Sequence, residues 1–189
     1  MKDDKTDRKP APAIDSAGDS GAADHENSVI QKKAQDCALS TPDGFLAFGF
    51  GSGLLTRAPG TMGTLAAIPV AGVVHWLDIS QFWFLLLTLA AGTWICNRVT
   101  VALGVEDYGG IVLDEMVGFW IVVAFVPFSW AWWVGAFVVF RVFDILKPWP
   151  ISLVEDTFSG GLGIMLDDVL AAIYSLLILK FVERILTGF

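Results

Sequence analysis

The chain has 189 residues, of which 54% are hydrophobic and 17% are charged, and its formal net charge is −8. This composition is too apolar for an ordinary soluble domain and is usual for a polytopic membrane protein. The acidic balance argues against a nucleic-acid partner, because no basic stripe is present to neutralise phosphates. The cysteines, Cys37 and Cys96, form no CxxC pair, and the histidines, His25 and His75, are too few and too scattered for a zinc site.

Residues 1–40 differ in composition from the rest of the chain. They are rich in Asp, Lys, Ala, Ser and Gly, with hardly an apolar pair before Val29. Such a segment cannot bury enough surface to offset its ordering entropy, so we expect a disordered polar tail. It lacks the apolar core of a signal peptide, so we expect neither cleavage nor export. Residues 41–189 are expected to form one membrane-embedded helical domain.

A Pro-Gly-Thr loop over residues 56–64 precedes the first apolar run. Pro59 and Gly60 end one element, and Thr61 or Thr64 can cap the helix that follows. A helix N-terminus with nearby hydroxyl groups can bind an anion, although most turns of this kind only cap a helix.

Five apolar segments predict an all-α membrane bundle of about four to five helices. The first and third segments are short for a crossing of ~20 residues, so a large soluble helical protein stays the alternative. Tryptophans lie close to the segment ends, as in an interfacial aromatic belt. The segments are 62–77, 82–103, 111–128, 130–146 and 162–181, and the tryptophans are Trp76, Trp83, Trp130, Trp132, Trp133 and Trp149.

Counting one crossing per segment brings most of the membrane-proximal charge to one face of the bilayer. The second and fourth segments end at this face, and the first, third and fifth begin there. The opposite face receives only Asp78, Lys180, Glu183 and Arg184. The shared face receives Glu106, Asp107, Asp114, Glu115, Arg141, Asp144, Lys147, Asp167 and Asp168.

The residue types at this face indicate a divalent cation and a phosphate group. Carboxylates without a nearby imidazole or thiolate favour a hard cation, so Mg²⁺ is preferred over Zn²⁺. Arg141, Asp144 and Lys147 recur every three residues, so they share one helix face and can pair as well as reach a ligand. The alternative for Arg141 and Asp144 is a simple salt bridge. Carboxylates, Mg²⁺, two cations and a helix N-terminus together suit phosphate chemistry.

Other phosphatase chemistries do not match the residues. Neither cysteine is followed by a phosphate loop with an arginine, and His75 is expected at the opposite face. No Asp-x-Asp tripeptide of a phospho-aspartate enzyme occurs. The phosphatase mechanism that is left is direct attack on the phosphate group by metal-activated water.

Four ordered blocks resemble the phosphatidylglycerophosphatase A family: APGTMGTLAAIP (58–69), GIVLDEMVGFW (110–120), FRVFDILKPWPI (140–151) and GGLGIMLDDVLAAIY (160–174). The resemblance covers about residues 45–180 and implies a Mg²⁺-dependent lipid phosphatase of the bacterial cytoplasmic (inner) membrane. Such an enzyme would convert phosphatidylglycerol phosphate, presented in the bilayer, to phosphatidylglycerol. Tyr108 and Gly110 depart from the usual family pattern before the Ile-Val-x-Asp-Glu block. The family's charged residues carry over onto Asp107, Asp114, Glu115, Asp144, Asp167, Asp168, Arg141 and Lys147.

These residues receive definite roles in the expected mechanism. Asp114, Glu115, Asp167 and Asp168 are expected to hold Mg²⁺ and orient water, so that Asp114 and Asp167 are also catalytic. Asp144 is either a further ligand or the general base. The substrate phosphate is expected to be bound by Arg141, Lys147, Thr61 and Gly60.

Two rivals belong to other classes of protein. A transporter or channel would line a cation path with the same acids, but it would spread them through the membrane depth. A phosphoalcohol transferase would place its aspartates in one long signature, whereas here they lie on three segments. We therefore expect a multi-pass phosphatase with its site facing the cytoplasm.

Overall fold

The computed structural model describes residues 17–55, 57–105, 108–158 and 160–188. Every regular element in these ranges is helical, so the predicted all-α class is confirmed. The elements are α1 (Ala17–Ser40), α2 (Pro42–Ala47), a short 3₁₀ turn (Ser52–Leu54), α3 (Pro59–Trp76), α4 (Gln81–Leu103), α5 (Leu113–Ala124), α6 (Trp130–Leu146), α7 (Ile151–Thr157) and α8 (Gly160–Thr187).

The five predicted apolar segments correspond to α3, α4, α5, α6 and α8. Two of the described helices, α4 and α8, are long and apolar enough to cross a membrane. The 12 residues of α5 extend only roughly 18 Å, less than the roughly 30 Å hydrocarbon core of a bilayer. Two apolar helices suggest membrane association, and four to five crossings stay a prediction.

Helix α8 lies at the centre of the bundle and packs against α4, α5, α6 and α7. Glycines permit the close approaches. A Cβ on Gly161 would meet the backbone of Thr93 and Asn97 on α4, and a Cβ on Gly118 of α5 would meet the Phe140 ring on α6. Glycine at these two positions thus lets α8 lie close to α4, and α5 lie close to α6.

Helices α5 and α6 form a hairpin that returns the chain to the end from which α5 starts. Pro127 lies in the connection, and the Ser129 hydroxyl caps α6 by accepting the Trp132 N–H at 3.4 Å. Helix α6 ends at Leu146, and the next residue, Lys147, stops the helix because its φ of 41° lies in the left-handed region. The beginning of α5 and the end of α6 therefore lie at the same end of the bundle.

The structure differs from the predicted disorder over part of the tail. Residues 17–40 form α1, which packs against α2 and α4. Ala34 and Ala38 lie one helical turn apart and are both 0% exposed. Composition alone did not reveal this narrow alanine face, because polar residues surround it. Residues 1–16 lie outside the described residues, and the boundary at residue 41 stays a prediction.

Candidate active site

Polar ends of four helices meet at one end of the bundle. These are the first turns of α3 and α5, the last turn of α6 and the region of α8 that holds two adjacent aspartates. Asp114, Asp167 and Asp168 are 8%, 9% and 2% exposed, respectively. The site is therefore a set of carboxylates that the protein itself shields from solvent.

Arg141 connects α5 and α6. Its Nη1 lies 3.1 Å from Glu115 Oε1 and 2.5 Å from Asp144 Oδ2. The three side chains are 12–16% exposed, so these ion pairs are much less screened than surface pairs. The expected i,i+3 salt bridge of Arg141 with Asp144 is confirmed. Arg141 also pairs with Glu115 on the neighbouring helix α5.

Lys147 connects the end of α6 to α8. Its Nζ donates to Asp167 Oδ2 at 2.8 Å, and the other oxygen, Asp167 Oδ1, accepts the Asp168 N–H at 2.9 Å. The sequence pattern placed Lys147 on the helix face of Arg141 and Asp144. That placement is wrong, because the helix ends at Leu146 and the left-handed backbone of Lys147 takes its side chain to α8.

All five predicted carboxylates share one electrostatic neighbourhood. Glu115 and Asp167 repel Asp114. Asp168 is repelled by Asp114, Asp144, Asp167 and Glu115. Two basic side chains, Arg141 and Lys147, face these five acids. Acids from three separate helices thus interact electrostatically.

Three buried oxygens of this cluster lack a hydrogen-bond partner among the described residues: Asp114 Oδ1, Glu115 Oε2 and Asp168 Oδ1. Burying a carboxylate oxygen without a partner is unfavourable, so the cluster has unmet demand for positive charge. Hard, anionic oxygen donors are the ligands that Mg²⁺ prefers, and the donor chemistry therefore fits that ion.

The positions of these carboxylates match a metal site less well than their donor chemistry does. In the described part of the chain, no three Asp, Glu, His or Cys side chains form a group that could hold a metal ion. Glu115 and Asp167 are instead engaged by Arg141 and Lys147. The predicted acids Glu106 and Asp107 lie outside the described residues.

Helix α3 brings its first turn against the carboxylates. A Cβ on Gly60 would overlap the Glu115 carboxylate and lie 2.8 Å from Arg141 Nη1. A Cβ on Gly63 would lie 3.3 Å from Glu115 Oε2. Only glycine at these positions lets the α3 backbone approach the cluster so closely.

The predicted capping role of Thr61 or Thr64 is wrong. Helix α3 begins at Pro59, the N-cap residue is Ala58, and both threonines lie inside the helix. The Thr64 hydroxyl donates to the Gly60 carbonyl at 2.8 Å. Thr61 is half-buried in the first turn, next to Gly60. Proline at the first helical position needs no cap for its own nitrogen, which explains the earlier start.

Helix α4 contributes two residues that the sequence patterns did not single out. Cys96 is 0% exposed and lies within electrostatic range of Asp114 and Asp168. Asn97 Oδ1 accepts the Gly161 N–H at 3.4 Å at the start of α8. The available signal was the polar interruption Cys-Asn-Arg in an otherwise apolar run.

The location of the acids disfavours a cation path. Asp114 and Glu115 lie in the first turn of α5, and Asp144 lies near the end of α6. Their partners Arg141 and Lys147 lie at that same end. A transporter would need acids through the depth of the bundle, and this arrangement does not supply them.

Comparisons with known proteins identify the family of this chain. The family model described as Phosphatidylglycerophosphatase A matches residues 45–183. A phosphatidylglycerophosphatase A from Haemophilus influenzae is 43% identical over 166 residues, covering 84% of this chain and 96% of its own length. One from Escherichia coli is 41% identical over 146 residues, covering 76% and 85%.

A third relative carries a different name. A putative phosphatidylinositol-3-phosphatase from Bacteroides thetaiotaomicron is 42% identical over 142 residues, covering 69% of this chain and 87% of its own length. No solved structure matches the chain significantly. With a family match over residues 45–183 and two relatives of that family name at 41% and 43% identity, the chain belongs to the phosphatidylglycerophosphatase A family and is a phosphatase.

Proposed function

We propose that this phosphatase hydrolyses phosphatidylglycerol phosphate to phosphatidylglycerol and phosphate, with Mg²⁺ as its cofactor. The observation that supports this most strongly is the set of three partnerless, buried carboxylate oxygens on α5 and α8 beside Arg141 and Lys147. The names of the two phosphatidylglycerophosphatase relatives supply the substrate.

The carboxylates of α5 and α8 would hold the cation. Asp114 and Glu115 come from one helix, and Asp167 and Asp168 from the other. Bound there, Mg²⁺ would neutralise the carboxylates and the phosphate oxygens and make water more acidic. In the proposal, Asp114 and Asp167 also orient the attacking water.

Basic side chains and the first turn of α3 would bind the substrate phosphate. In the proposal, Arg141 and Lys147 would each exchange one carboxylate partner for a phosphate oxygen, and both would stabilise charge that develops during transfer. The amides of Gly60 and Thr61 precede the first intrahelical bond of α3, which Met62 N–H makes to the Ala58 carbonyl at 3.3 Å. Such free N-terminal amides favour an anion.

Asp144 is the proposed general base. It is 12% exposed and is held by Arg141, so its carboxylate has a fixed position at the edge of the cluster. It would accept a proton from the attacking water, and Arg141 would keep it oriented during that transfer.

The proposed setting is the bacterial cytoplasmic membrane, crossed several times, with the site facing the cytoplasm. Among the described residues that follow α1, the basic side chains Arg57, Arg98, Arg141 and Lys147 lie toward the site end of the helices, and Lys180 and Arg184 lie toward the other. This bias agrees with the positive-inside rule. The acyl chains would stay in the bilayer while the headgroup reaches the carboxylates.

Phosphate release from purified protein tests the proposal. Phosphatidylglycerol phosphate and phosphatidylinositol 3-phosphate are compared, each with Mg²⁺ and with EDTA. We expect turnover of the glycerol lipid only with Mg²⁺. Preference for the inositol lipid would assign the substrate of the third relative instead, and full activity in EDTA would remove the metal from the mechanism.

A matched pair of lysine variants tests the phosphate site. Lys147→Gln removes a donor from the site and is expected to lower kcat by about 100-fold or more. Lys180→Gln makes the same change at the opposite end of α8, where Lys180 pairs with Glu183 at 2.7 Å, and should leave kcat unchanged. Equal activity of the two variants would contradict the role of Lys147.

A further inference from the structure

A cavity of about 270 Å³ lies between α1, the 3₁₀ turn, the start of α3 and the loop that precedes α5. Helix α1 contributes Gln31 and Gln35 to its walls, and the loop contributes Tyr108. Pockets that hold drug-sized ligands have volumes of about 300–1,000 Å³. This cavity is slightly smaller, so it suits one part of a larger molecule, such as a three-carbon alcohol.

The cavity adjoins the turn that is proposed to bind the substrate phosphate. Pro59 lines the cavity and is the first residue of α3. The next residue, Gly60, lies so close to Glu115 that a Cβ would overlap the carboxylate. A group joined to a phosphate at this turn is therefore within reach of the cavity.

The wall on the side of α5 is fixed by packing. The Tyr108 and Phe48 rings meet edge to face with centroids 5.9 Å apart. A Cβ on Gly53 of the 3₁₀ turn would overlap the Gly110 carbonyl oxygen, so the two backbones are in direct contact. This side of the cavity is thus a preformed feature of the fold.

The opposite wall carries two primary amides that a ligand can reach. Gln31 and Gln35 lie four residues apart on one face of α1, and both are exposed. Neither side chain makes a hydrogen bond to another described residue. A primary amide offers two N–H donors and an acceptor oxygen, which match the donor and acceptor of a hydroxyl group. Of the described lining residues, none is Asp, Glu, Lys or Arg, so these walls suit a neutral hydroxyl.

The surroundings of the cavity suit a position at the membrane surface. Apolar side chains are exposed on α2 and beside the 3₁₀ turn: Phe45 (45%), Phe50 (45%) and Leu55 (77%). Exposed aromatic and aliphatic side chains of this kind are typical of segments that lie in the interface of a bilayer. Lipid headgroups occupy that same region.

We propose that this cavity binds the free hydroxyl of the headgroup glycerol in phosphatidylglycerol phosphate, an inference that rests on the proposed function. That glycerol carries a phosphate on each end carbon and a hydroxyl on its central carbon. With the terminal phosphate at the first turn of α3, the central hydroxyl exchanges hydrogen bonds with the amides of Gln31 and Gln35. No bond is made or broken at this hydroxyl, so the two glutamines are specificity residues and take no part in the chemical step.

This assignment gives α1 a role that the family match does not cover. The match begins at residue 45, and both glutamines precede it. Helix α1 would therefore add a headgroup contact to the matched part of the chain.

A substrate that lacks the central hydroxyl tests the contact. Phosphate release by full-length protein with Mg²⁺ is measured for phosphatidylglycerol phosphate and for the analogue in which 1,3-propanediol replaces the headgroup glycerol. Because one or two neutral hydrogen bonds differ, wild-type protein should have a kcat/KM about two- to tenfold higher for the natural headgroup. The difference should lie in KM, since the hydroxyl is bound equally in the ground state and the transition state.

Variants assign this preference to α1. Combining Gln31→Leu with Gln35→Leu should raise KM for phosphatidylglycerol phosphate to the value of the analogue and leave turnover of the analogue unchanged, which also shows that the variant is folded. Gln81→Leu makes the same change at the first residue of α4, at the other end of the bundle, and should keep the preference.

The outcomes separate this inference from the proposed function. Hydrolysis of neither lipid by wild-type protein would contradict the proposed function itself. Hydrolysis of both lipids with equal kcat/KM, or a preference that survives the double glutamine variant, would overturn the headgroup contact and leave the phosphatase assignment intact. Lys147→Gln provides a contrast, because it should lower kcat for both lipids alike.

Discussion

Replacing Asp168 by asparagine is expected to raise the stability of the metal-free protein and to lower its phosphatase activity. Asp168 is 2% exposed, its Oδ1 lacks a hydrogen-bond partner among the described residues, and four other carboxylates repel it. An unpaired buried carboxylate costs about 1–3 kcal/mol or more, and asparagine removes its charge and gains an amide that can donate to a neighbouring carboxylate. Removing the charge should therefore raise the free energy of unfolding in EDTA by about 1–3 kcal/mol, which corresponds to an increase in Tm of roughly 2–12 °C for a chain of this length.

The assay combines thermal unfolding in detergent with phosphate release. In EDTA, Asp168→Asn should unfold at a higher temperature than wild-type protein. Mg²⁺ should stabilise the wild type more than the variant, because ligand binding to the folded state alone shifts its stability. Turnover should fall by about 100-fold because a proposed metal ligand is lost.

Asp36→Asn is the control for the loss of one negative charge. Asp36 is an exposed residue of α1, so its replacement should change the free energy of unfolding by less than about 0.5 kcal/mol. A lower Tm for Asp168→Asn in EDTA together with normal turnover would refute the reasoning, because Asp168 would then be a satisfied structural residue.

Three further substitutions test how the helices are assembled around the site. In a phosphate-release assay, Gly60→Ala should lower kcat by at least about tenfold, because its Cβ would overlap the Glu115 carboxylate. Gly72→Ala, which has open space around its Cβ, should leave kcat unchanged. Arg141→Lys should lower kcat by about 100-fold, because one ammonium group cannot hold carboxylates of α5 and α6 in the way a planar guanidinium does. Gly161→Ala should lower Tm, since its Cβ would meet the α4 backbone. The Cβ of Gly135→Ala would lie at an ordinary 3.8 Å from Leu179, so this control should leave Tm unchanged or raise it slightly, because alanine is the better helix former.

The meeting of the acids could be predicted from the sequence because it follows from chain direction alone. Successive apolar helices alternate in direction, so residues at the start of one and the end of the next lie at the same end. That reasoning needs no side-chain detail, and it brought Asp114, Asp144 and Asp167 together correctly. The count assumed one membrane crossing per segment, but the acids meet wherever successive helices reverse direction. The short α5 shows that reversal of direction and membrane crossing are separate questions.

Contacts that depend on one backbone angle, or on how two helices pack, could not be predicted from the sequence in the same way. A three-residue spacing places Lys147 beside Arg141 only if the helix continues, and the left-handed backbone of Lys147 ends it. The close fit of Gly60 against Glu115 depends on how α3 packs against α5, which no local pattern specifies. In α1, Ala34 and Ala38 are buried by neighbouring helices, so their environment is also a tertiary effect.

Divalent-ion binding tests the central claim most directly, with Mn²⁺ as a probe that paramagnetic resonance can count. Wild-type protein is expected to bind Mn²⁺ saturably, with Mg²⁺ as a competitor. Asp114→Asn should weaken the binding at least tenfold, and Glu183→Gln, at the opposite end of α8, should not change it. Unchanged Mn²⁺ affinity in Asp114→Asn would contradict the claim that the buried carboxylates of α5 and α8 hold the ion.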